Sequence, residues 1–315
     1  MKRAYQQKTS FLGVLLCIFF LPGLVMAAGS SLVSVEWLAK NLNKKNLVIL
    51  DVSEFIHYES KHIPGAVKAF GPWMTMNSEF VGFMMPDETE LVSMLRGYGV
   101  NNDSFVVVYD EGITSKDTAK SARALWTLHA LGHDRVAILD GGMAAWEQSE
   151  KPMTTKAATP FAGNFSGKLQ PDKIATLAEV KAKLGSGKVT FLDNRSPDQY
   201  FGHEKNSEIS RAGHLPGSLL WPESFMTIAG VDFAPSYFRE MKELEKMAKG
   251  VYLPADRNAE IITYSNHGLA AAMGYFVLHD LLGYKNVKVF DGSILEAAPA
   301  EDVPMVVQRW GWEKR

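Results

Sequence analysis

Residues able to do chemistry are sparse in this chain, which holds one cysteine, Cys17, and eight histidines. Two histidines stand in the same short pattern, His62-Ile-Pro-Gly65 and His214-Leu-Pro-Gly217. Duplication before a proline turn predicts a shared structural role for this pair, not metal ligation. No two histidines flank a carboxylate at helical ligand spacing, and cysteine ligands are absent, so neither a metal nor a cofactor is expected. Asp193 and Arg195 lie two residues apart just after an apolar run. That spacing suits an internal carboxylate–guanidinium tie, with Arg195 kept as a candidate anion contact. Arg211, beside Gly213 and His214, is the better candidate to meet an anion.

The single cysteine decides more than any other count. Lys2, Arg3 and Lys8 precede an apolar run from Phe11 to Leu21, followed by Pro22-Gly23 and the small-residue stretch Val25 to Ala28. Basic, apolar, small is the order of a secretory signal peptide, here residues 1–27, with cleavage expected near Ala27 and the product periplasmic or secreted. The alternative is a membrane anchor through residues 11–28. Pro22 interrupts it, and spanning needs about 20 apolar residues. A lipoprotein reading of Cys17 is weakened by Leu16, where a small residue is expected. Cys17 therefore falls in the segment to be removed, and the mature chain could neither form disulfides nor carry sulfur on cysteine.

The elements that must position any site come from a duplication. The 315 residues, 46% hydrophobic and 22% charged, suit about two domains. A net charge of -2 indicates neither a nucleic-acid footprint nor a polybasic membrane face. Leu47–Asp51 is echoed by Val189–Asp193, Phe105–Tyr109 by Ile261–Tyr264, and Leu131–Gly141 by Leu282–Gly292. With the two His-x-Pro-Gly turns, four blocks repeat in order with a period near 150 residues. Continuous apolar runs alternate with helical stretches such as Ala119–Leu131 and Leu269–Leu282. Such runs suit parallel strands buried on both faces, with helices as crossovers. Each copy is read as an α/β domain, over 30–152 and 173–310. Residues 153–172, rich in Pro, Thr, Ala and Gly, form the linker. Any active loop belongs at the carboxyl end of a sheet.

Gly213–Gly217, Leu192–Pro197 and Leu139–Trp146, in order over residues 32 to 296, resemble the rhodanese family, specifically tandem thiosulfate and mercaptopyruvate sulfurtransferases. The resemblance implies two rhodanese-like domains, each a mainly parallel sheet flanked by helices. It also implies that the second domain's catalytic loop, which begins with cysteine in the family, is Ser265, Asn266, His267, Gly268, Leu269 and Ala270 here. A loop passing from a strand into a helix N-terminus aims successive backbone N–H groups inward and forms an anion nest. A thiol at its centre would be driven toward thiolate and attack the outer sulfur of thiosulfate. Serine keeps the cradle and removes that chemistry.

His267 is the only nearby candidate base, and two positions along a tight loop its ring is expected to point elsewhere. Leu269, Ala270 and Ala271 supply no cation, and Ala297 replaces the tryptophan that the first copy keeps at Trp146. In the first copy Asp110 takes the loop position, beside Glu111, and no chemistry is assigned there. The sixth residue after Ser265 is Ala271, so the cysteine-to-arginine spacing of related phosphatases is missing as well.

The reading that follows is an exported rhodanese-family protein unable to form a cysteine persulfide, with an anion-binding loop for a small sulfur-containing or other anion and no nucleic-acid partner. The alternatives are a working sulfurtransferase, including one whose Ser265 is an engineered replacement of cysteine, and an accessory factor handling sulfur, selenium or tellurium oxyanions.

Overall fold

A computed structural model of the chain describes residues 30–311 other than 72, 78, 80 and 229–233. The expected signal peptide therefore lies outside the described residues. Among those described, no helix is long and apolar enough to cross a membrane.

The first half runs β1 (Leu32–Val33), α1 (Val35–Asn41), β2 (Leu47–Asp51), α2 (Phe55–Ser60), β3 (Val67–Lys68), α3 (Glu88–Gly97), β4 (Phe105–Tyr109), α4 (Ser115–Ala130), β5 (Val136–Leu139) and α5 (Gly142–Gln148). The second runs β6 (Ile174–Ala175), α6 (Leu177–Lys183), β7 (Thr190–Asp193), α7 (Pro197–Phe201), β8 (Leu219–Leu220), β9 (Thr227–Ile228), β10 (Tyr237–Phe238), α8 (Met241–Gly250), β11 (Glu260–Tyr264), α9 (Leu269–Phe276), β12 (Asn286–Phe290) and α10 (Ser293–Ala297). The two five-stranded sheets have the same order, β1-β5-β4-β2-β3 and β6-β12-β11-β7-β8, with every pairing parallel.

Local chemistry explains the elements. Val106 to Tyr109 and Ile261 to Tyr264 are buried, as central parallel strands covered on both faces require. Ser34, Asp87, Thr176 and Ser196 each accept a first-turn N–H at a helix start, and Thr114 forms a reciprocal capping box with Asp117. The duplicated histidines are structural. His62 stacks on Tyr58 at 3.8 Å with Nδ1 2.8 Å from its carbonyl, and His214 stacks on Tyr200 at 3.7 Å with Nδ1 2.7 Å from that carbonyl.

One apolar cluster passes from the first sheet through α4 and α9 into the second, joining Val106, Leu125 and Leu128 to Met273, Phe276 and Ile261. From Ser121 to Ala130 α4 is buried all round, as a helix sandwiched between two domains must be. The stretch from 155 to 170 carries no helix or strand and lies against the first half: Gly163 N–H donates to Arg96 O, Phe165 N–H to Val100 O and Gln170 N–H to Ala130 O. Beyond α9 the helix widens into a π turn, Val277–Leu281.

Candidate active site

β11 ends at Tyr264 and α9 begins at Leu269, so Ser265 to Gly268 form the turn at the carboxyl end of the sheet. Gly268 has φ +79° and is the only residue type that fits. A Cβ there would lie 2.7 Å from Arg123 Nη1 and 2.8 Å from the Asp291 carbonyl oxygen. Among the described residues, the N–H groups of Asn266, His267, Leu269 and Ala270 meet no acceptor, while Ala272 N–H closes the first helical bond onto Gly268 O. These are the orphan donors of a helix start.

Two further N–H groups of the loop are taken from behind. Ser293 Oγ accepts from both Ser265 N–H and Gly268 N–H at 3.0 Å, and donates to Phe290 O at 2.7 Å. Ser293 sits at φ +51°, where the first copy has Gly142 at φ +54°. A serine in the left-handed region is strained, and its three hydrogen bonds offset that strain. The sequence contains the signal, a serine answering a glycine in the repeat, but not its consequence.

A cavity of ≈ 330 Å³ opens in front of the loop, lined by Ser265, Asn266, His267, Leu269 and Ala270 together with Arg195, Glu204 and Glu223. Lys116 and Ala119 reach it from the first domain. Arg195 forms the expected tie, with Nε 3.0 Å from Asp193 Oδ1 and Nη2 2.7 Å from Asp193 Oδ2, and it also reaches the cavity, where Nη1 stands 3.5 Å from Asn266 Oδ1. Arg211 is elsewhere. Its guanidinium donates to the carbonyls of Ala297, Ala298 and Ala300 and holds the end of α10, and Arg211 does not line the cavity.

His267 stacks on Phe83 at 4.6 Å, and burial lowers its pKa, which keeps the ring neutral. It is packed by the first domain. No hydrogen bond joins the Ser265 hydroxyl to an imidazole or carboxylate among the described residues. Burial raises the pKa of Glu223.

Sequence reasoning missed the first domain's share of this site. Arg123 of α4 is hydrogen-bonded to Asp291, whose Oδ2 also accepts Met85 N–H at 2.6 Å. The exchange is reciprocal, because Phe238 N–H of the second half donates to Asp140 Oδ1 at 3.0 Å, and Ser236 N–H to Gly112 O at 2.7 Å. The first copy's own loop is closed: Asp110 accepts Gly112 N–H at 2.7 Å and the Ser121 hydroxyl at 2.5 Å, and burial raises its pKa to about 7.

A pair of parallel α/β domains, each with a strand-to-helix loop at the carboxyl edge of its sheet, defines a tandem rhodanese-type architecture. The rhodanese-like domain model matches residues 34–149 and 176–298, and the chain belongs to that family. A relative from Mycobacterium leprae, named "Putative thiosulfate sulfurtransferase", is 30% identical over 292 residues, covering 89% of this chain and 99% of that one. The 3-mercaptopyruvate sulfotransferase SseA from Escherichia coli superposes with a TM-score of 0.71 at 24% identity, over 84% of this chain and 98% of that one. The anaerobic ergothioneine biosynthesis enzyme of Chlorobium limicola, solved with its substrate trimethyl histidine, gives 0.73 at 19% identity, over 89% and 70%.

Proposed function

We propose that this protein binds a small sulfur-containing or related anion at Ser265–Ala270 and does not itself form a cysteine persulfide. The observation that carries the reading is a serine at the head of a loop whose N–H groups at 266, 267, 269 and 270 are unpaired, in a chain whose only cysteine is Cys17. In a competent rhodanese a thiolate attacks the outer sulfur of thiosulfate, sulfite leaves, and the persulfide sulfur passes to an acceptor such as cyanide. A hydroxyl without a base cannot begin that sequence, and His267 is packed on Phe83. The unpaired donors, the Arg195 guanidinium and the Lys116 ammonium suit an oxyanion held without covalent chemistry.

The domains are taken as 30–152 and 173–310 with a linker at 153–172. Residues 1–27 are taken as a signal peptide, which makes the working protein exported and free of thiol. The deciding experiment is thiocyanate formation from thiosulfate and cyanide by the wild type beside Ser265→Cys, with intact mass fixing the first residue of the exported chain. The wild type should stay at background and the variant should gain measurable turnover. Robust wild-type turnover would refute the reading.

A further inference from the structure

At the far end of the α4–α9 contact, His129, His279 and Asp280 each present one ligand atom, and these atoms lie within 4.8 Å of one another. His129 belongs to α4, whereas His279 and Asp280 belong to the π turn after α9. We propose that these three residues form a divalent transition-metal site of zinc type that staples the two domains together. His129 stands ten residues along α4 from Ala119, about 15 Å at 1.5 Å per residue, so this site is distinct from the cavity at the loop.

The Asp280 side chain is 4% exposed, and its nearest charged or titratable partners are imidazole nitrogens, His279 Nδ1 at 3.2 Å and His129 Nδ1 at 3.9 Å. A carboxylate that buried is costly unless it is hydrogen-bonded, paired or bound to a metal. Lys173 Nζ lies 3.3 Å from His279 Nε2 and 3.7 Å from Asp172. Ligand atoms about 2.0–2.1 Å from a tetrahedral ion are roughly 3.3 Å apart, and the two measured separations bracket that value.

Tyr275 Oη lies 3.2 Å from His129 Nδ1, the nitrogen that faces Asp280, so a metal ion there would displace that hydroxyl, and the Tyr275 ring stacks on His279 at 4.9 Å and 11°. Two imidazoles with one carboxylate favour zinc-like ions over magnesium or calcium, which take oxygen ligands. A π turn is the local distortion that often marks a functional position.

The test is calorimetric titration of Zn2+ into the untagged full chain after chelator stripping, with Co2+ absorbance as the spectroscopic probe. One equivalent should bind and raise Tm. His279→Ala and Asp280→Asn should each weaken binding at least about tenfold, whereas Tyr275→Phe, which only frees His129 Nδ1 of a competing hydroxyl, should bind no more weakly than the wild type. The exposed His203→Ala serves as control and should bind as the wild type does. His279 is partly exposed, so His279→Ala remains informative should Asp280→Asn fail to fold. Absence of Zn2+ binding, or binding that persists in both variants through Cys17 or any other group, overturns the proposal.

Discussion

The Arg123 guanidinium of the first domain and the Asp291 carboxylate of the second form a hydrogen-bonded ion pair with side chains only 1% and 5% exposed. It sits directly behind Gly268, so the back wall of the loop is built by both domains. Arg123→Met should lower the unfolding free energy by about 3–5 kcal/mol, because Asp291 is left buried and unpaired. Arg123→Met combined with Asp291→Asn should recover part of the loss. Urea denaturation measures both, and a single variant within about 0.5 kcal/mol of wild type would show that the pair does not hold the domains.

Ser293 offers a contrast between strain and hydrogen bonding. Ser293→Ala keeps the left-handed backbone and removes the acceptor shared by Ser265 N–H and Gly268 N–H, so it should destabilise by roughly 2–3 kcal/mol. Ser293→Gly removes the same acceptor and relieves about 1 kcal/mol of strain, so it should be the milder change. The reverse ranking in denaturant melts would mean that φ +51° carries no strain here.

Asp110 makes stability depend on pH. Its folded pKa of about 7 lies above the ordinary carboxyl value of 3.8, with burial the main cause. Its contribution is therefore fully present below about pH 4 and lost as pH rises toward 7, by at most about 4 kcal/mol. Asp110→Asn imitates the protonated form, retaining an acceptor for Gly112 N–H and a hydrogen bond with Ser121. It should flatten the decline between pH 4 and pH 7 and make the variant the more stable protein at pH 8. An unchanged pH profile would show that Asp110 is ionised throughout.

Anion binding should be local and salt-sensitive. On addition of sulfate or thiosulfate, amide shifts should appear at Asn266 to Ala270 and be absent from Asp110 to Gly112, where the carboxyl already occupies the loop. Lys116→Ala should weaken binding severalfold at low ionic strength and by less at high salt, since that ammonium is exposed and screened. Shifts centred on Asp110 would place the site in the wrong domain.

The sequence by itself determined the duplication, the class of each domain and the place of the loop. These are local and periodic properties: apolar runs ending in Asp193 or Tyr264, paired His-x-Pro-Gly turns, and a glycine at the start of α9. The Asp193–Arg195 tie was legible for the same reason, its partners being two residues apart. Tertiary structure alone decided what surrounds the loop. Arg123 and Asp291 are 168 residues apart, Phe83 and His267 are 184 apart, and no spacing rule couples such pairs. Arg211 shows the converse, since nearness in sequence to Gly213 suggested an anion contact, whereas three carbonyls at the end of α10 claim its guanidinium. The His129, His279 and Asp280 cluster likewise exists only because α4 packs on α9 across the domain boundary. The chain encodes each sheet locally, but the charge and shape of its clefts arise where one domain closes on the other.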